Sequence, residues 1–329
     1  MKHNETPSNT LVVEDFLMDL GDLDLDEIVG QEEAIKELKL FVESIEYNHI
    51  YNIWNSKSPI GILLTGEPGT GKTASVRALA KRLADQVTLM ELRYLDIASK
   101  WVDMPIEQLR GFFALAEEKA QDKHVIIFID EIDAMIPSRD SQLHEASMKR
   151  VNVFLEWMNG GFSNLENITI IGATNFLQGV DKAALRAGRF DKIINFVPLS
   201  ATEKLRGLQI HLSKRHLKSE LLKDIEWTQI LPVIENASIV GADLPEIINR
   251  LVRQKITAHI DILKSKTEYD RRTATEQIKL ASLPDYMPEP IETDDVVKTI
   301  SEYVIYKQTV GPENRAYKNM GFALTTSNE

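Results

Sequence analysis

The chain has 329 residues, a mass of 37.3 kDa, 43% hydrophobic content and a formal net charge of −12. That length and apolar content suit one large domain plus a smaller one and exclude a disordered chain, while a cysteine count of 0 excludes a disulfide framework, a thiolate metal site and a thiol nucleophile. The longest apolar run, Val125–Ile129, is far short of a membrane span, and no basic-then-apolar leader opens the sequence. The acidic balance argues against unassisted binding to a nucleic-acid backbone, so a soluble, cytoplasmic globular protein is expected.

Residues 1–24 are polar and acidic, with Glu14, Asp15, Asp19, Asp22 and Asp24 among a few apolar side chains such as Phe16 and Leu17. They read as a flexible segment. From 25 to 198 short β-rich runs alternate with stretches of helical spacing. The strand candidates are 60–65, 88–93, 125–129, 168–174 and 193–197. Three of them are almost continuously apolar, as in a parallel sheet covered on both faces. Apolar stripes such as Val76, Leu79, Ala80 and Leu83, then Val151, Phe154, Leu155 and Met158, mark the helices between. This alternation predicts an α/β fold with a doubly wound parallel sheet.

After Pro198 the strand signal fades, and 199–309 reads as a smaller all-α domain. "SATEK" offers a capped helix start, and Leu244, Ile247, Ile248 and Leu251 share one face of the next helix. A charged, proline-containing insertion at about 264–292 interrupts this domain. A helix capped by Thr293 follows, and 310–329 reads as an exposed tail.

The stretch "GILLTGEPGTGKTASV" carries the chemistry. Gly66, four residues, then Gly71-Lys72-Thr73 fits a phosphate loop, with a strand before it and a helix after. In the loop Pro68-Gly69-Thr70-Gly71 the glycines let the backbone N–H groups of Gly69, Thr70, Gly71 and their neighbours close on phosphate oxygens, and the helix adds its positive end. Lys72 suits the β- and γ-phosphates; the Thr73 hydroxyl suits Mg²⁺. Downstream, "VIIFIDE" ends a buried strand on Asp130 and Glu131. Asp130 suits Mg²⁺, and Glu131 suits orientation and deprotonation of an attacking water. Together these predict nucleoside triphosphate hydrolysis. Asn175, after the fourth strand, is placed for an amide between γ-phosphate and water. Arg186 and Arg189 stand three apart in a glycine-containing loop, a spacing that by itself suits solvated or carboxylate-paired side chains.

With those motifs, "ATNFLQGVDKAALRAGRFD" resembles the second region of homology of AAA ATPases, the narrower group within AAA+. The resemblance runs over roughly 25–309, from "LDEIVGQEEAIKELK" through the phosphate loop, "VIIFIDEID", "GATN" and "LRAGRFDKIINFVP" to "LQIH" and "VGADLPEI". It implies an AAA+ module with an ATP-binding domain and a helical lid, bound ATP and Mg²⁺, and a homo-oligomer, a hexameric ring with a site at each boundary. It implies that Arg186 and Arg189 are fingers for the neighbouring subunit's site, and that Val29 and Gly30 meet adenine. It further implies that His211, Gly241 and Ala242 close over the nucleotide from the lid.

The stretch "SKWVDMP" is similar to the pore-facing loop of AAA proteins, above all in spastin, katanin and the ESCRT-disassembling ATPases. There the resemblance makes Lys100, Trp101 and Val102 a grip on extended polypeptide. The chain departs from those relatives at Asp103-Met104-Pro105, where they carry a glycine, so the alternative of Trp101 packing against its own subunit stays open. "HEASM" lacks the second histidine of a zinc-protease motif, and "TSNE" is unlike the tail by which proteasomal ATPases dock. The expected function is remodelling, unfolding or translocation of a protein substrate through a central pore. The alternative is a nucleotide-switched assembly ATPase within a larger partner complex that threads nothing. A nucleic-acid motor or loader is disfavoured by charge.

Overall fold

The computed structural model describes residues 12–92, 106–138, 145–161, 167–223, 225–265, 273, 276–277 and 287–310. The chain forms two compact units, Met1–Pro198 and Leu199–Glu329.

The first unit is built on five parallel strands: β1 (Gly61–Gly66), β2 (Val87–Glu91), β3 (His124–Ile129), β4 (Ile168–Thr174) and β5 (Phe190–Phe196), in the order β2-β3-β4-β1-β5. The α/β reading therefore holds, and each expected strand is present within a few residues of its place. β3 and β4 are buried almost throughout because helices cover both faces, whereas β5, at an edge, alternates buried and exposed residues. The helices are α1 (Glu32–Glu46), α2 (Asn48–Ile53), α3 (Lys72–Arg82), α4 (Ile106–Lys119), the short α5 (Ile132–Met135) and α6 (Glu145–Glu156).

Alternation along the strands divides the core in two. Leu63, Ile127 and Ile170 pack with Phe112 and Phe113 of α4 and Phe154 of α6. Ile62, Leu64, Phe128 and Ile171 face Leu38 and Val42 of α1 and Val76 and Leu79 of α3. Each fully buried Leu, Ile or Phe contributes about 1.5–3 kcal/mol, so these two layers hold the sheet rigid. Because the strands are parallel, the ends of β1, β3 and β4 open at one rim, and β1 lies beside β4 there. Ligands of open α/β sheets bind at such carboxyl-end crevices.

Residues 12–24 correct the expectation of a flexible segment. Val13 and Met18 are buried, Phe16 packs edge-on against Phe112, and Leu17 pairs antiparallel with Met90 of the edge strand β2. Burial of Val13 and Met18 and packing of the half-buried Phe16 outweigh the solvation of the intervening carboxylates, which are exposed.

The second unit contains α7 (Ala201–Ser213), α8 (Trp227–Glu235), α9 (Leu244–Ser265) and α10 (Thr293–Val310). Ser200 caps α7 as expected: its hydroxyl accepts from Glu203 N at 3.3 Å, and Glu203 returns a carboxylate to Ser200 N. Leu244, Ile247, Ile248 and Leu251 are all buried, so they form the inward face of α9. Thr293 does not cap α10. Its hydroxyl accepts from Glu226 N at 2.8 Å, and Asp295 instead accepts from Glu292 N. No helix among the described residues is long and apolar enough to cross a membrane.

Candidate functional site

The loop between β1 and α3 is shaped by three glycines with positive φ: Gly66 at +145°, Gly69 at +76° and Gly71 at +103°. Two reasons fix glycine at 66. Its φ is closed to other residues, and a Cβ there would lie 2.2 Å from the carbonyl oxygen of Phe196. Thr70 ties the loop to itself by donating to Glu67 O at 2.9 Å.

Lys72, at the first turn of α3, is buried, and its ammonium donates to Gly66 O at 2.7 Å, Glu67 O at 2.9 Å and Asn175 Oδ1 at 2.7 Å. Burial holds the Lys72 ammonium below the ordinary lysine range, and the Asp130 carboxylate opposes that shift. The lysine stays a donor. Next to it the Thr73 hydroxyl donates to Asp130 Oδ2 at 3.3 Å. Hydroxyl and carboxylate oxygens converging at a strand end suit a hard divalent cation that takes its remaining ligands from phosphates and water. Among the described residues no group of three or more His, Cys, Asp or Glu side chains could hold a metal ion by itself.

Glu131 follows at φ +50°, ψ +46°, a left-handed conformation that a non-glycine residue adopts only when its surroundings impose it. Here Glu131 N donates to Asp130 Oδ1 at 2.9 Å, and Ile132 beyond it packs against Gly172, where a Cβ would come within 2.7 Å of Ile132 Cδ1. The outcome is an exposed Glu131 side chain at the rim. The end of β4 is fixed in turn by Thr174, which donates to Asp133 Oδ1 at 2.6 Å and accepts from Phe176 N at 2.9 Å. That bracket aims Asn175 at Lys72.

Thus the structure brings together Gly69, Thr70, Gly71, Lys72, Thr73, Asp130 and Asn175, with exposed Pro68 and Glu131 at the same rim. Val29 and Gly30 lie directly before Gln31, whose side chain sequence reasoning passed over. Gln31 is buried; its amide donates to Thr70 O at 3.3 Å and Val197 O at 2.7 Å and accepts from Val197 N at 3.0 Å. It anchors the 29–30 turn to the phosphate loop and to the end of β5. Its only sequence signal was a polar residue at the head of an otherwise amphipathic helix.

Arg186 is exposed, and no hydrogen bond or ion pair holds its guanidinium among the described residues. Arg189 is held within its own chain by Asn159 Oδ1 at 2.9 Å and by Ala183 O. In the second unit His211 is half-buried on α7, and Gly241 and Ala242 open a short turn that ends at Asp243. Asp243 is pinned from α10: it accepts from Tyr303 Oη at 2.8 Å and Lys307 Nζ at 2.6 Å. Burial, and then the Asp243 carboxylate, push the Tyr303 phenol well above its ordinary range. Lys100, Trp101 and Val102 lie outside the described residues.

Comparison with known proteins places the chain among ATPases. The family described as "ATPase family associated with various cellular activities (AAA)" matches residues 62–198. The chain is 32% identical over 301 residues to the mitochondrial inner membrane i-AAA protease supercomplex subunit YME1 of Saccharomyces cerevisiae, covering 88% of this chain and 39% of that one. It is 35% identical over 191 residues to ATP-dependent zinc metalloprotease FtsH 2 of Thermoanaerobacter sp., covering 58% of this chain and 36% of that one. Over 225 residues it is 34% identical to the proteasome-activating nucleotidase of Aeropyrum pernix, covering 68% of this chain and 52% of that one. The chain spans between roughly a third and a half of the length of these three relatives.

Proposed function

Residues 62–198 make this chain a member of the AAA family of ATPases, and on that premise we propose that it hydrolyses ATP in a homo-hexameric ring and remodels a protein substrate through a central pore. The observation that carries the reading is the convergence of Lys72, Asn175, Thr73 and Asp130 on one rim of a parallel sheet.

In this reading the amides of Gly69, Thr70 and Gly71 and the Lys72 ammonium hold the β- and γ-phosphates of ATP, at the positive end of α3. Thr73 and Asp130 hold Mg²⁺, which when bound neutralises charge on the phosphates. Glu131 takes the proton of the attacking water, and Asn175 orients that water against the γ-phosphate. The Asn175–Lys72 bond gives way in part, freeing the amide for the water. Arg186 and Arg189 complete the site of the next subunit, and Val29 and Gly30 meet the adenine. Lys100, Trp101 and Val102 grip the substrate chain, the broad apolar face of Trp101 serving many sequences alike. The names of the relatives, protease subunits and a proteasome-activating nucleotidase, support a protein substrate. We read the chain as cytoplasmic.

Trp101→Ala tests this. A threading ring loses unfolding of a tagged fluorescent protein while ATP hydrolysis continues unstimulated. Unimpaired unfolding by the variant would move the reading to a nucleotide-switched assembly ATPase.

A further inference from the structure

The segment 93–105, which carries Trp101, leaves β2 and returns into α4. Both of its flanks meet the N-terminal segment. On the strand side, Leu17 pairs antiparallel with Met90, and Met18 N donates to Leu89 O at 3.4 Å. On the helix side, the Phe16 ring stands edge-on to Phe112 of α4 with centroids 4.9 Å apart at 75°. Phe16 packs against the cluster that contains Met90 and Leu92 of the strand side together with Leu109, Phe112 and Phe113 of α4. Met18, two residues on, is buried in the other core cluster beside Leu89. The segment therefore wraps the edge of the sheet, with an anchor on each face and Leu17, 53% exposed, lying over the edge.

An edge strand with unpaired backbone groups is the part of a sheet most ready to shift or to pair elsewhere. Here it is also the strand that leads into the loop. We propose that Val13–Met18 form a brace that locks β2 to α4, and that Phe16 is a positioning residue for the loop between them. The brace rests on the reading of that loop as the polypeptide grip. A grip that pulls needs rigid flanks, since any give in them dissipates the stroke. The acidic residues around the anchors keep the outer surface of the brace solvated while its three apolar side chains hold it down.

The test is hydrogen exchange on the full chain with Phe16→Ala and Phe16→Leu, together with stimulation of ATP hydrolysis by labelled casein. In Phe16→Ala, amides of Leu89–Leu92 and Arg110–Phe113 should exchange at least about tenfold faster while those of Val76–Leu79 keep their rate. Basal ATP hydrolysis should stay within about twofold, half-saturation by casein should rise at least about fivefold, and Phe16→Leu should restore both. If Phe16→Ala does not fold, Val13→Ala serves, with the same direction expected. Unchanged exchange at both flanks overturns the brace whatever casein does. Loosened flanks with an unchanged casein response overturn the positioning role. A wild-type protein indifferent to casein would defeat the polypeptide-grip reading, while the exchange rates would still decide the brace.

Discussion

The ammonium of Lys72 donates to Asn175 Oδ1 at 2.7 Å, across 103 residues of sequence, and so joins the phosphate loop to the end of β4. Neither side chain can move without the other feeling it. On the proposed reading the lysine holds the phosphates and the amide orients the water, so this contact links the two roles before nucleotide arrives.

Lys72→Ala should therefore lower ATP turnover by at least about 10²-fold and weaken nucleotide binding, because it removes a preorganised charged donor. Asn175→Ala should lower kcat about tenfold or more but leave nucleotide affinity within about threefold. Phosphate release, with nucleotide binding followed by a fluorescent analogue, separates the two. Equal loss of affinity in both variants would contradict the division of labour.

The two arginines should differ. The Arg189 guanidinium is bonded within its own chain to Asn159 and Ala183, and among the described residues that of Arg186 is not. Arg186→Ala should cut kcat by about 10³-fold, the scale of a finger supplied in trans, with no change in Tm. Arg189→Ala should lower both kcat and Tm. Mixing Arg186→Ala with Lys72→Ala subunits should restore part of the activity, since in a mixed ring both lesions can fall in one boundary site and leave the next one intact.

Stability should fall as the pH drops, and His124 supplies a defined part of that. His124 begins β3, with Thr169 Oγ1 3.1 Å from Nε2 and the Phe41 ring beside it. Burial lowers its pKa from 6.5 to about 4. The folded value lies below the unfolded one, so the unfolded chain takes up the proton first as the pH falls. Stability is thus lost from roughly pH 6.5 downward and the loss is complete near pH 4. Between pH 8 and pH 5 the loss from this group is about 2 kcal/mol. Urea unfolding of the wild type and of His124→Gln at the two pH values checks it. Parallel losses in the two proteins would show that His124 is not the source.

What was legible in the sequence was what is local. The glycine spacing at 66–71 dictates the torsions of the loop, and Asp130-Glu131 follow directly from a buried strand. The apolar stripes of α3 and α9 repeat at helical spacing and gave their buried faces without help from the fold. Gln31 was not legible, because its partners are the backbone carbonyls of residues 39 and 166 positions away, and a carbonyl carries no sequence signature. The segment 12–24 was misread for a different reason. Its charge density describes its outer surface, while Val13, Phe16 and Met18 are held by β2 and α4, elements that a local window does not contain. Thr293 carried a cap signal, yet a backbone amide of another segment took its hydroxyl. Local propensity lost to tertiary contact at each of these positions.

A ring that forms on ATP should be visible by mass photometry of Glu131→Gln with ATP and Mg²⁺. Without its base, the protein should hold ATP unhydrolysed and accumulate as a species six times the 37.3 kDa protomer mass. A single population at the protomer mass under those conditions would contradict the account.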